Sequence, residues 1–279
     1  MNLVIQGIAP IDAAHHQALI ALARGSRIAP TDACAFRIDD AHPSQRDGIA
    51  AYCTAHQLDY AFVEPGWTLA RFGLVAMDMD STLVTIECID EIADFCGLKN
   101  EVAAITEASM RGEIRDFNES LMRRVALLKG LDAQVLERVY EERLQLSPGA
   151  EKMLAGVRAA GLKTLLVSGG FTFFTERLKT RLGLDFTRAN TLEIVDGRLT
   201  GRVSGEIVNA DVKARTLSET CRQIGIDPQR AIAMGDGAND LKMMAAAGLS
   251  IAFHAKPAMR EAASVAFNFV GLDGLLRLF

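Results

Sequence analysis

The chain has 279 residues, 49% of them hydrophobic and 23% charged, with 30 Lys+Arg against 35 Asp+Glu for a net charge of −5. This balance excludes a disordered chain and leaves no general basic field to hold nucleic acid or an anionic membrane. The five cysteines (Cys34, Cys53, Cys88, Cys96 and Cys221) form no C-x-x-C pair, so they point to neither a disulfide framework nor a zinc site and fit a reducing cytoplasm, while no apolar run approaches the ~18 residues of a membrane span.

Taken in chain order, Leu3–Gly7 and Ala33–Ile38 read as strands, Ala13–Ala23 and Ser44–His56 as helices, and Leu58–Val63 as a third strand. Together they make a small α+β unit over residues 1–70. Pro65-Gly66 breaks the pattern, and a second unit covers residues 71–279. Leu74–Met77, Leu162–Val167, Ile232–Met234 and Leu249–Phe253 have the short apolar character of strands buried on both faces. Amphipathic helices separate them, one presenting Phe171, Phe174, Leu178 and Leu182, another Leu217, Cys221 and Ile224. The alternation predicts an α/β fold: a Rossmann-like parallel sheet, with ligands outside the carboxyl ends of its strands. Between the first two of these strands, residues 85–146 are helical by period. Ile89, Ile92, Ala93 and Cys96 share one face and Phe117, Leu121, Val125 and Leu128 another, which predicts a helical cap. Residues 191–209 alternate around Asp196-Gly197, a hairpin signal.

Three segments at strand ends could carry chemistry. Asp78-Met79-Asp80-Ser81-Thr82 places two carboxylates after the first buried strand. Gly235-Asp236-Gly237-Ala238-Asn239-Asp240 follows another strand and opens a helix, so Asp236, Asn239 and Asp240 are expected at the same edge. Gathered carboxylates repel by about 4 kcal/mol per close pair at an effective dielectric near 20. A hard cation would relieve this, and an oxygen-only donor set suits Mg²⁺. Ser168-Gly169-Gly170 ends a strand before a helix, an anion-binding arrangement when it joins other motifs, though alone it is more often a plain turn. Lys213 falls in the first turn of a helix, where a cation opposes the dipole and calls for a nearby anion. Arg124 lies on the apolar face of its helix. It suits either a ligand carboxylate or a salt bridge with Glu107, Glu113 or Glu119. Periodicity places Glu87 with Glu91 and Asp94 on a solvated stripe.

Asp78–Val84, Glu87–Ala93, Val167–Phe171, Met234–Asp240 and Ile251–Pro257, in this order, resemble the haloacid-dehalogenase-like hydrolase superfamily and, within it, the phosphoserine phosphatase family. The resemblance runs from about Leu74 to the carboxyl end. It implies Mg²⁺-dependent hydrolysis of O-phosphoserine, the last step of serine biosynthesis, with Asp78 as nucleophile and Asp80 as general acid and base. It further implies a metal held by Asp78, the Asp80 backbone carbonyl and Asp236, with Asp240 supporting it through water. Lys213 would neutralise charge on the phosphoryl group and Asp78, and Ser168, Gly169 and Asn239 would contact substrate. Glu87 would receive the amino group and Arg124 the carboxylate, while Met110 and Phe117 resemble apolar residues that close over the substrate. Two other readings stay open: a related phosphatase or phosphotransferase for another small ester, with homoserine as an acceptor, and a non-catalytic protein of the same fold. Some relatives carry ACT-like regulatory domains ahead of the core, so residues 1–70 suggest dimerisation or serine sensing.

Overall fold

A computed structural model describes residues 1–111, 113–114 and 116–279, with the side chain of Met110 outside the description. The amino-terminal quarter builds β1 (Asn2–Gly7), α1 (Ala13–Ala23), β2 (Arg27–Asp32), β3 (Ala35–Asp39), α2 (Arg46–Ala55) and β4 (Leu58–Val63). The four strands form an antiparallel sheet in the order β2-β3-β1-β4. β2 escapes the sequence reading because its residues are mostly exposed and include Pro30, which an edge strand tolerates. The expected strand at Ala33 starts two residues later, because the Asp32 side chain accepts the Cys34 N–H at 2.7 Å and turns the chain first.

The rest of the chain centres on a seven-stranded sheet. Its strands are β5 (Leu74–Met77), β6 (Lys163–Phe171), β7 (Phe186–Val195), β8 (Arg198–Ser204), β9 (Ala231–Gly235), β10 (Leu249–Phe253) and β11 (Val265–Phe267). The order is β11-β10-β9-β5-β6-β7-β8, parallel except for β8 against β7. Residues alternate between two apolar layers, Val75 and Met77 entering one and Leu74 and Ala76 the other, as the two-residue period of a strand requires. Both layers are sealed, so β5, β9 and β10 are buried at every position. β11 is too short for periodicity to show. The α/β class and parallel sheet agree with the expectation from sequence.

Four helices lie between Val84 and Leu146: α3 (Cys88–Phe95), α4 (Lys99–Met110), α5 (Phe117–Leu127) and α6 (Gln134–Glu142). The chain leaves and re-enters the sheet at one narrow neck, where Val84 bridges Leu146 and the Thr85 N–H donates to the Gln145 carbonyl at 3.0 Å. The β7–β8 hairpin turns at Asp196 and Gly197, both at positive φ, the geometry of a two-residue hairpin turn. It binds the cap through Gly130 N–H to Leu199 O and Ala133 N–H to Gly197 O. The remaining helices, α7 (Ala150–Ala159), α8 (Thr172–Leu182), α9 (Ala210–Gln223), α10 (Leu241–Ala246) and α11 (Pro257–Ala262), cover the two sheet faces.

The small sheet packs directly on this unit. Val4, Ala61 and Val63 join the main apolar core. Buried Asp59 on β4 accepts the N–H groups of Asn268, Phe269 and Val270 at 2.8, 2.9 and 2.9 Å. Among the described residues no helix is long and apolar enough to cross a membrane.

Candidate active site

The site forms where β5, β6 and β9 end. The Asp78 N–H donates to the Met234 carbonyl at 3.0 Å, which holds the residue between β5 and β9. Its carboxylate accepts the Met79 N–H through Oδ1 at 2.7 Å and lies 2.7 Å from the Lys213 Nζ through Oδ2. Beyond it the chain turns tightly. Asp80 is extended and Ser81 adopts φ 53, a left-handed conformation costing a serine roughly 1–2 kcal/mol. This turn carries the Asp80 carboxylate back over the strand ends, where it accepts the Cys88 N–H at 3.1 Å. Burial, with the Asp78 charge adding to it against the Cys88 hydrogen bonds, pushes the Asp80 carboxyl up to about 7.

The second acidic segment meets the first. Carboxylate oxygens of Asp78, Asp236 and Asp240 lie within 4.8 Å of one another, a set that could hold a metal ion. Asp236 accepts the Thr82 hydroxyl at 3.1 Å, and burial plus the Asp78 charge push it up to about 7. Asp240, fully buried, spends Oδ1 on Lys213 at 2.8 Å and Oδ2 on the Gly237 N–H at 3.2 Å. Lys213 is itself fully buried. Burial pulls its pKa down, but the carboxylates of Asp78 and Asp240 more than offset this and hold it above the ordinary lysine value. Burial and the Asp78 charge push Asp240 up while Lys213 pulls it back, and at 2.8 Å the ionised pair is the state the geometry favours. One ammonium among three carboxylates leaves excess negative charge, and an oxygen-only donor set of this kind fits a hard divalent cation.

On the other wall, β6 runs through Ser168 to Phe171 rather than stopping at Val167. Gly169 and Gly170 are required there by close approach. A Cβ on Gly169 would come within 2.9 Å of the Phe117 ring, and one on Gly170 within 2.6 Å of Asp80 Oδ2. Ser168 is fully buried, and its Oγ accepts the Gly170 N–H at 2.8 Å.

The cap supplies the opposite side of a cleft of about 310 Å³. Asp78, Asp80, Ser168, Gly169, Asp236 and Asn239 line it from the sheet, and Glu87, Phe117 and Arg124 from the cap. Lys213 and Asp240 lie beneath, behind Asp78. Glu87 leaves the polar stripe that its period suggested, because it caps α3 in an extended conformation and its carboxylate accepts the Ser81 hydroxyl at 2.7 Å. Burial of the carboxyl end and the Asp80 charge push its pKa upward, an effect moderated by solvent at this exposed residue. Arg124 bonds only to the Ser120 carbonyl, at 3.4 Å, among the described residues. Glu107 and Glu113 pair with Arg111, and Glu119 with Arg123, so the salt bridges offered for Arg124 do not form there. Met110 cannot be placed in the pocket, since its side chain lies outside the described residues.

Two buried or capping asparagines near the cleft are not singled out by the motifs. Asn209 caps α9, accepting the N–H groups of Asp211 and Val212, and so sets the start of the helix that bears Lys213. An Asn ahead of a helix is a readable cap signal. Its Nδ2 also donates to Asn118 Oδ1 on α5 at 3.1 Å, joining sheet and cap. Asn190 on β7 is 1% exposed and donates to the Gly169 carbonyl at 2.7 Å. No local pattern marks an Asn inside a strand as special.

Residues 75–245 match the haloacid dehalogenase-like hydrolase family, and residues 3–49 match a domain of unknown function. A phosphoserine phosphatase of Polaromonas sp. is 59% identical over 218 residues, which are 77% of this chain and 92% of the relative. The crystal structure of a HAD-family hydrolase from Salmonella enterica serovar Typhi superposes with a TM-score of 0.88 at 35% identity, covering 99% of this chain and 97% of that one. A phospho-aspartyl intermediate analogue of phosphoserine phosphatase superposes with a TM-score of 0.69 at 39% identity, over 74% of this chain and 98% of that one.

Proposed function

Since the chain belongs to the haloacid dehalogenase-like hydrolase family, we propose that it is a phosphoserine phosphatase that releases serine and phosphate through an aspartyl-phosphate on Asp78. The observation that carries this reading is the single cleft joining two kinds of recognition. Asp78 and Asp80 stand at its base beside the Ser168–Gly170 turn, and at its cap side Glu87 and Arg124 offer opposite charges. One small molecule bearing a phosphate, an ammonium and a carboxylate answers all of these groups at once.

Mg²⁺ is the cation the donor set fits: the Asp78 carboxylate, the Asp80 carbonyl and Asp236 would hold it, and it would offset the repulsion between a carboxylate nucleophile and a phosphate dianion. Asp240 would support it indirectly, because Lys213 and the Gly237 N–H already engage its two oxygens. Lys213 fixes the Asp78 side chain through Oδ2 and places a positive charge behind it. Asp78 attacks phosphorus, forming an O–P bond as the bond to the seryl oxygen breaks. Asp80, raised to about 7 and so partly protonated near neutrality, gives its proton to the departing oxygen. Its carboxylate then takes a proton from the water that attacks phosphorus, and the Asp78 O–P bond breaks. Ser168, Gly169 and Asn239 hold the phosphoryl end, and Phe117 closes over Gly169.

The five cysteines are all free, in keeping with a reducing cytoplasm. In the 1–70 unit α1 and α2 pack on one face of the small sheet with Leu3, Ile5, Phe36 and Ile38, while Val4, Ala61 and Val63 on the other face join the main core, and dimerisation or serine sensing is the role proposed for it. The test of the whole reading is phosphate release from O-phosphoserine, with Mg²⁺ or a chelator, for wild type and Asp78→Asn. We expect release by wild type with Mg²⁺ alone. Turnover by Asp78→Asn at the wild-type rate would overturn the reading.

A further inference from the structure

The β6–β7 ladder pairs Val167 with Arg188 and Phe171 with Asn190, and its register shifts between them. Three residues of β6, Ser168 to Gly170, therefore bulge opposite one residue of β7, and the ladder cannot satisfy the Gly169 carbonyl. A side chain does so instead. Asn190 Nδ2 donates to Gly169 O at 2.7 Å, while Asn190 Oδ1 accepts the Val208 N–H at 2.8 Å. Asn190 is 1% exposed and does not line the cleft, so it makes no contact with a ligand.

The consequence follows from peptide geometry. In a trans peptide the carbonyl of one residue and the N–H of the next point in opposite directions. Drawing Gly169 O toward Asn190 thus turns the Gly170 N–H the other way, onto Ser168 Oγ, where it donates at 2.8 Å. A serine hydroxyl has one proton and two lone pairs. With a lone pair occupied by Gly170, its proton is left to donate into the cleft.

We propose that Asn190 is a positioning residue for the phosphoryl group, the origin of a hydrogen-bond relay running through the Gly169–Gly170 peptide to Ser168 and ending on a phosphoryl oxygen. Buried and shielded from water, such a chain is polarised along its length, so each donor strengthens the next. Through Oδ1 the same side chain fastens residue 208, next to the Asn209 cap of the Lys213 helix, and so fixes the turn relative to that helix. The relay rests on the reading of Ser168 as a phosphoryl contact, and its test separates the two.

Asn190→Asp keeps the acceptor for Val208 but replaces the donor to Gly169 with a second acceptor. We expect kcat/KM for O-phosphoserine to fall roughly 10- to 100-fold, the value of a hydrogen bond to a charged group. Ser168→Ala should fall to a similar extent, and the double variant should be no worse than either single one, because all three break the same chain. Losses that multiply in the double variant, or Asn190→Asp within about twofold of wild type while Ser168→Ala is impaired, would overturn the relay alone. Ser168→Ala at the wild-type rate would overturn the phosphoryl role of Ser168 and the relay with it. A measurement on the unaltered Asn190 covers poor folding of Asn190→Asp. With Mg²⁺ present, the Asn190 side-chain amide resonance should shift as inorganic phosphate is titrated into wild type and stay fixed in Ser168→Ala. A resonance that does not move in wild type would overturn the proposal.

Discussion

Replacing Lys213 with Met keeps the length of the side chain and removes its charge, leaving Asp78 Oδ2 and Asp240 Oδ1 without the ammonium now 2.7 and 2.8 Å away. Carboxylate oxygens in this cluster lie within 4.8 Å of each other, where each pair of charges repels by about 3.5 kcal/mol at an effective dielectric near 20. Removing one partner of a buried pair costs about 3–5 kcal/mol, and the two figures agree in size. The loss should depend on pH. Without the pull of Lys213, burial and Asp78 raise the Asp240 pKa further above its unfolded value of about 3.9. The native variant then binds more protons than the unfolded chain between those two values, so its stability falls as pH rises through that window, by up to about 1.4 kcal/mol per pH unit. In the wild type Lys213 itself, raised above the ordinary lysine value, adds no pH dependence in this range, since its stabilisation is complete below about pH 10. Urea unfolding of both proteins in chelator at pH 6 and pH 8 measures the effect. We expect a deficit of about 3–5 kcal/mol at pH 8, smaller at pH 6, and partly recovered by Mg²⁺. A deficit unchanged by pH and by Mg²⁺ would refute the electrostatic account of this cluster.

Metal affinity should itself follow the Asp236 proton. With the metal-free carboxyl at about 7, binding must displace a proton, and the Mg²⁺ affinity should tighten about tenfold from pH 6 to pH 8 by calorimetry, whereas a flat profile would remove Asp236 from the ligand set. Arg124→Ala should lower kcat/KM for O-phosphoserine about 100-fold while leaving an ester without a carboxylate, such as phosphoethanolamine, within about threefold of its wild-type value. Equal losses on the two substrates would take Arg124 out of specificity. Asp59→Ala removes the acceptor of three backbone N–H groups that joins the small sheet to residues 268–270, and should cost about 3 kcal/mol in urea unfolding with KM unchanged. A loss below about 0.5 kcal/mol would show that this contact carries little of the attachment.

Much of this molecule is legible along the chain because its signals are local. Leu74–Met77 and Leu249–Phe253 are short apolar runs with polar breaks, and a strand buried on both faces has no other way to look. The positions of Asp78, Asp80, Asp236 and Asn239 follow from such strands, since a residue just after a parallel strand can only stand at its carboxyl edge. Arg124 could be singled out because a guanidinium on an apolar helix face is expensive unless it meets a partner. Period alone places Glu87 in solvent but does not show that it lines the cleft, because a capping residue leaves the helical path and the stripe rule ceases to apply to it.

Other features depend on partners far away in sequence, which no local window can name. Lys213 becomes the buried counter-ion of Asp78 and Asp240, 135 and 27 positions distant, only once β5, β9 and α9 are brought together. β2 is a strand because β3 offers it an edge, not because its own residues favour one. Asn190 acquires its place from a register shift between two strands, which no composition encodes. Propensity and periodicity act over a few residues and write themselves into the chain. Charge compensation and the satisfaction of buried polar groups act through space, and so are settled only when the chain has closed on itself.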